Sequence, residues 1–138
     1  MREIKFRIWD NLEKDYLNEE DIAIDNLSNI FIFERYDKND SELWYTRLLP
    51  DPGNKRHVIE QFTGLKDKNG TEIYEGDILR YPDGTGTVYY NDNSACFNVS
   101  DFYDGFQDYP TLAFSEGGNV VMEVIGNIHE NPELIEER

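Results

Sequence analysis

Residues 61–80 read Q-F-T-G-L-K-D-K-N-G-T-E-I-Y-E-G-D-I-L-R. Within them, Asp67-Lys68-Asn69-Gly70 separates one apolar group, Phe62 and Leu65, from another, Ile73 and Tyr74. Asn-Gly is the strongest short turn signal, because both residues tolerate positive φ. The run therefore predicts a tight reversal, with Gly64 marking a second bend. Gly76 supplies backbone freedom just before Ile78-Leu79-Arg80-Tyr81, whose β-branched and aromatic character favours a strand. This is the geometry of a loop feeding the first strand of a small barrel. A calcium loop is excluded by spacing. With Gly70 as the sixth residue of an EF-hand loop, positions one and twelve fall on Leu65 and Gly76, which offer no side-chain ligand.

Downstream, short apolar runs alternate with Gly/Asn/Asp turns. Asp77–Tyr81, Thr87–Tyr90, Ala95–Val99, Thr111–Phe114 and Val120–Ile125 are the strand candidates, with a turn at Gly117-Gly118-Asn119. Such spacing predicts an all-β barrel or sandwich. Phe102 to Tyr109, aromatic and acidic together, reads as a loop or irregular edge. Asn131 before Pro132 predicts a helix cap, and Glu136-Glu137 keep that helix short.

Upstream, Ile4, Phe6 and Ile8 alternate with Lys5, Arg7 and Trp9, which predicts a half-buried strand. Tyr16-Leu17 opens a returning strand. Residues 18–27 are ambiguous, with acids at Glu19, Glu20 and Asp21 that could start a short helix. Ile30–Phe33 reads as a strand buried on both sides or at an interface, and Leu43–Leu49 as another, with a polar loop at Asp37–Ser41 between them. Pro50-Asp51-Pro52-Gly53-Asn54 breaks the pattern. The expected fold is mainly β: an N-terminal β-rich part over 1–52, then a small Src-homology-like β-barrel over 53–138 with a short terminal helix.

Charge is the extreme property. Thirteen Lys and Arg face 29 Asp and Glu, a net of −16, and the excess lies mostly in residues 61–138, at −11. Such a surface repels phosphate backbones, so direct nucleic-acid binding is disfavoured. The abundant Trp, Tyr and Phe are read as core rather than as base-stacking platforms. Cys96 is the one cysteine. It rules out an internal disulfide, and in Ala95-Cys96-Phe97 it reads as a small packed side chain. No apolar run approaches the ~20 residues of a membrane span, and the charged start carries no export signal.

Three segments resemble the YopX family: M-R-E-I-K-F-R-I-W-D at 1–10, the run from Gln61 to Leu79, and V-I-G-N-I-H-E-N-P-E-L at 124–134. They occur in the family's order at the start, middle and end. The resemblance implies a phage or prophage origin and a bacterial cytoplasmic location. It implies no activity and no catalytic residues. Residues 15–58 fall outside the resemblance.

No motif for nucleophilic, metal or phosphate chemistry is present, and His57 and His129 both sit in settings that suggest structure. The expectation is a protein that is not an enzyme, with no cofactor and no metal. It would act through protein contacts or self-assembly as a homo-oligomer, or through a host or phage protein with a basic surface. Asp101, Asp104, Asp108 and Glu116 are the candidate acidic interaction surface. The alternatives are a nucleic-acid-associated accessory protein and an acidic DNA mimic that occupies the site of a basic host enzyme.

Overall fold

The computed structural model describes residues 3–18, 22–37, 40–48, 56–81, 84–101, 108–110, 115–116 and 119–136. Strands make up 58% of it and helix 3%, so the chain is mainly β. It forms two units. One is continuous, Phe6–Ile59; the other is assembled from Met1–Lys5 and Glu60–Arg138. The sequence break at 50–54 lies outside the described residues.

The Phe6–Ile59 unit starts with β1 (Phe6–Asp10), followed by β2 (Asp15–Tyr16), β3 (Ile22–Ile24), β4 (Ile30–Asp37) and β5 (Asp40–Leu48). Strand β1 pairs with the returning β2 (Trp9 opposite Tyr16), as Tyr16-Leu17 implied. On its other side β1 neighbours β6 (His57–Lys66), whose first three residues belong to this unit. Strands β3, β4 and β5 form a separate antiparallel sheet in that order. Its core is thin. Ile8 and Ile30 are buried, and half-buried Leu17, Ile22, Ile24, Ile32 and Ile59 pack on them.

Two expectations are corrected here, and one ambiguous stretch is assigned. Strand β1 is not half-buried, because Ile8 and Trp9 on its opposite faces are both shielded. Ile22 and Ile24, too sparse for a helix face, have the period of a strand and pair with Ile32 and Ile30. Strand β4 is not buried on both sides: Ile30 is covered, but Phe33 is 38% exposed. Of the expected polar loop at Asp37–Ser41, residues 38 and 39 lie outside the described residues, and Asp37 pairs with Asp40.

The other unit holds the rest of β6, then β7 (Glu72–Tyr74), β8 (Asp77–Tyr81), β9 (Gly84–Asn91), β10 (Cys96–Asp101), β11 (Asp108–Pro110), β12 (Ser115–Glu116), β13 (Asn119–Val120), β14 (Glu123–Asn127) and helix α1 (Glu133–Glu136). Five of these strands lie in the order β11-β10-β9-β8-β14, as a curled half-barrel. This is the barrel-like C-terminal region anticipated from the short strands. Ile73, Leu79, Tyr81, Val88, Val99 and Met122 form its dry core, with Leu65 and Val124 against it. Gly64, read as a bend, has φ +88° and lies where the β6–β7 register shifts. The aromatic side chains divide. Trp9, Phe62, Tyr74 and Tyr81 are buried, whereas Tyr90 stays 43% exposed against the edge of Phe97.

The helix is as short as expected, but its cap is not the one expected. Asn131 turns its Oδ1 back onto the Asn127 N–H at 3.2 Å. The Asn127 Oδ1 in turn accepts the N–H groups of His129 and Glu130. Asn131 closes the turn before the helix instead of capping it.

Candidate functional site

The hairpins are anchored by a shared local device. An Asp or Asn at the start of a reversal accepts backbone N–H groups two to four residues on, mimicking a turn of main chain. Asp25 accepts from Leu27 and Asn29, and Asp67 accepts from Asn69 and Thr71. Asp10 accepts from Leu12 and Glu13, and Asn91 from Asn93 and Ser94. Each turn then needs one residue with positive φ: Ser28 (65°), Gly70 (84°), Lys14 (58°) and Ala95 (53°). Many of the carboxylates that looked like surface charge are therefore structural acceptors. Asp10, Glu60, Asp67 and Asp77 are all buried.

The Asp67 turn carries the largest constellation. Besides its local bonds, the Asp67 Oδ2 accepts the Val124 N–H at 2.9 Å, and the Lys68 N–H donates to the Met122 carbonyl. The tip of the β6–β7 hairpin thereby covers the outer edge of β14, a place where an open sheet would otherwise offer unpaired groups. Burial pushes the Asp67 carboxyl up, but the N–H groups of Val124, Thr71 and Asn69 and the Lys68 charge outweigh it. The net effect holds it below the ordinary carboxylate range. Just outside, Glu123 takes the Arg80 guanidinium at 2.7 Å and Lys68 at 3.7 Å, which lowers it as well.

A second cluster surrounds Gly76 (φ +84°), whose N–H donates to the Val88 carbonyl and whose carbonyl accepts the Ile128 N–H. The Glu60 carboxylate fills the place a Cβ on Gly76 would need, and the positive φ strains any other residue there. The His129 Nε2 lies 3.3 Å from the Glu60 Oε2, with both side chains largely buried. Glu75 is pushed up by burial and by the Glu60 charge, and the Gln61 N–H it accepts offsets part of this. In the Phe6–Ile59 unit, Asp10 is gripped by both the Nε and an Nη of Arg56 at 2.9 Å, and is held far below the carboxylate range. His57 lies 3.8 Å from the same carboxylate.

These clusters were not found from the sequence. The local half had a signal: D-N-L-S-N and D-K-N-G-T start reversals with a residue built for this role. The distant half, Asp67 to Val124 or Glu60 to His129, has none. The sequence-predicted acidic surface is only partly described. Asp101 ends β10 opposite Gly86, Asp108 starts β11 opposite Ser100, and Glu116 lies in β12 opposite Asn119. Asp101 and Asp108 thus come from adjoining strands, while Glu116 belongs to a separate two-stranded hairpin. Asp104 lies outside the described residues.

Among the described residues, no group of three His, Cys, Asp or Glu is arranged to hold a metal ion. Cys96 donates to the Asn98 Oδ1 at 3.1 Å and lies 3.1 Å from the Ser94 Oγ. No described helix is long and apolar enough to cross a membrane.

What these features define is a mainly-β protein of two units, rich in carboxylate-anchored turns. The YopX protein family profile matches residues 5–136, and the chain belongs to that family. None of the curated proteins matches it. Among solved structures, it is similar to the crystal structure of protein EF1440 from Enterococcus faecalis. That likeness has 29% identity and a TM-score of 0.59, and covers 98% of this chain and 99% of the other.

Proposed function

We propose that this protein works by contact with other protein chains, without chemistry of its own, and that it self-associates. The supporting observation is strand β5. It has nine residues and is the outer strand of the β3-β4-β5 sheet, and no described strand pairs with its other side. A long strand at a sheet edge offers a row of N–H and C=O groups to another chain. Its sequence, with Leu43, Trp44 and Tyr45 in succession, lacks the proline or lysine that usually blunts such an edge. The family resemblance supports a phage or prophage origin and a site of action in the bacterial cytoplasm.

Direct nucleic-acid binding is the weaker reading. Arg56, Lys68, Arg80 and Lys5 each lie against a carboxylate, which removes the positive field a phosphate backbone would need. The test is mass in solution by sedimentation, for the native chain and for Thr46→Lys. An assembly that Thr46→Lys dissociates, with the β-sheet circular dichroism retained, supports the reading. A native chain that is monomeric over its whole soluble range defeats it. In that case, capture of a basic nucleic-acid enzyme from host lysate, released by salt, would favour the acidic decoy.

A further inference from the structure

We infer that Asn69 is a latent deamidation site, closed by the Asp67 clamp and opened when the clamp leaves β14. The chain contains one Asn-Gly pair, Asn69-Gly70, and both residues are exposed. Nothing lies within 4 Å of where a Cβ on Gly70 would be, so no neighbour blocks the backbone there. An unhindered glycine nitrogen after asparagine is what cyclisation requires, and asparagine is among the thermolabile residues for this reason. The step balances without an added reagent. The Gly70 nitrogen attacks the Asn69 Cγ, the Cγ–Nδ2 bond breaks, and ammonia leaves with the proton from the Gly70 nitrogen. Water then opens the ring to aspartate or isoaspartate.

The folded turn opposes every part of that step. The Gly70 N–H is committed to the Asp67 carbonyl at 3.0 Å. The amides on either side, of Asn69 and Thr71, are both held by the Asp67 Oδ1. The Asn69 side chain points to the Glu123 Oε1 at 3.5 Å. The Asp67 Oδ2 ties the whole turn to Val124. Reaction therefore draws on the opened turn, and its rate follows the population of that form. Once made, the product is locked out. A carboxylate at position 69 would face Glu123, and isoaspartate adds a backbone atom inside the turn.

The test follows the mass change of the peptide containing Asn69 during incubation at mildly alkaline pH. Fragmentation separates aspartate from isoaspartate. The native protein is expected to convert at least about tenfold more slowly than the chain in urea. Asp67→Ala is expected to convert at an intermediate rate while its circular dichroism remains native. Should Asp67→Ala not fold, Asp67→Asn, which keeps the shape with a weaker acceptor, takes its place. Asn69→Ser should keep its mass throughout. Equal rates in native and unfolded chains would overturn the inference, as would a clamp variant as inert as the native protein.

Discussion

Two reversals in this molecule are nearly the same turn. Asp25-Asn26-Leu27-Ser28-Asn29 and Asp67-Lys68-Asn69-Gly70-Thr71 both begin with a carboxylate that accepts N–H groups two and four residues on. In both, the fourth residue has positive φ and its N–H returns to the Asp carbonyl. They differ in the second carboxylate oxygen. In Asp25 it takes the Asn29 side-chain amide, within the same turn. In Asp67 it takes a backbone amide of β14 in the same unit, 57 residues further along the chain. One turn is a local stop. The other is also the cover of a sheet edge. Local sequence makes the turn, and tertiary context decides what depends on it.

The sharpest way to break this comparison is to remove the two carboxylates in parallel. Asp67→Ala leaves the Val124 N–H and the turn amides without their acceptor, and is expected to cost about 2–3 kcal/mol in urea unfolding. Asp25→Ala, in a solvated turn, should cost clearly less. Equal losses would mean that the Val124 contact contributes nothing. The fourth position is the next largest effect. Gly70→Ala should lose about 1 kcal/mol, because φ is +84° there, although space is open. Ser28→Gly should gain roughly 0.5 kcal/mol by relieving the same conformation, less the added freedom of the unfolded chain.

Acid titration sharpens the contrast further. Asp25 and Asp67 both have folded-state pKa values lowered, by the Asn29 amide for Asp25 and by the net balance of N–H bonds over burial for Asp67. The stability they lend is present above the ordinary value of 3.8 and is lost as pH falls through the lower folded value. Hydrogen exchange on β14 below that pH should therefore speed up in the native chain, and Asp67→Ala should show a flatter acid response. Glu75 runs the other way. Its folded pKa is raised above 4.5, so its contribution is fully present below that value and declines as pH rises. Glu75→Gln should then gain about 0.5 kcal/mol at neutral pH and nothing in acid, as read by parallel urea curves. A loss at neutral pH would show that the charge serves the Gln61 N–H better than an amide can.

Much of this was legible. Asn69-Gly70 marked the reversal, though Gly70 alone took the positive φ. Gly76 signalled a special backbone, but not that a buried Glu60 fills the space above it. Ile22 and Ile24 stayed ambiguous in sequence, because three residues of period two are too short a run to be told apart without their partners Ile32 and Ile30. Asn131-Pro132 carried the usual mark of a helix start, and a competing acceptor demand from Asn127 four residues earlier overrode it. The acidic composition was the least informative. Net charge counts a carboxylate wherever it sits, and cannot distinguish Asp67 under β14 from one in free solution.

The assembly of one unit from Met1–Lys5 and Glu60–Arg138 has a consequence for engineering. The Lys5 carbonyl accepts the Phe62 N–H at 2.9 Å, so the two segments of this unit meet at that seam. Phe6–Ile59 is thus an insertion whose start and finish are neighbours on the host. A short Gly-Ser bridge from Lys5 to Glu60 is the replacement that this seam suggests. Conversely, loops of other sequence could be grafted at the same seam, which makes the half-barrel a scaffold for cargo.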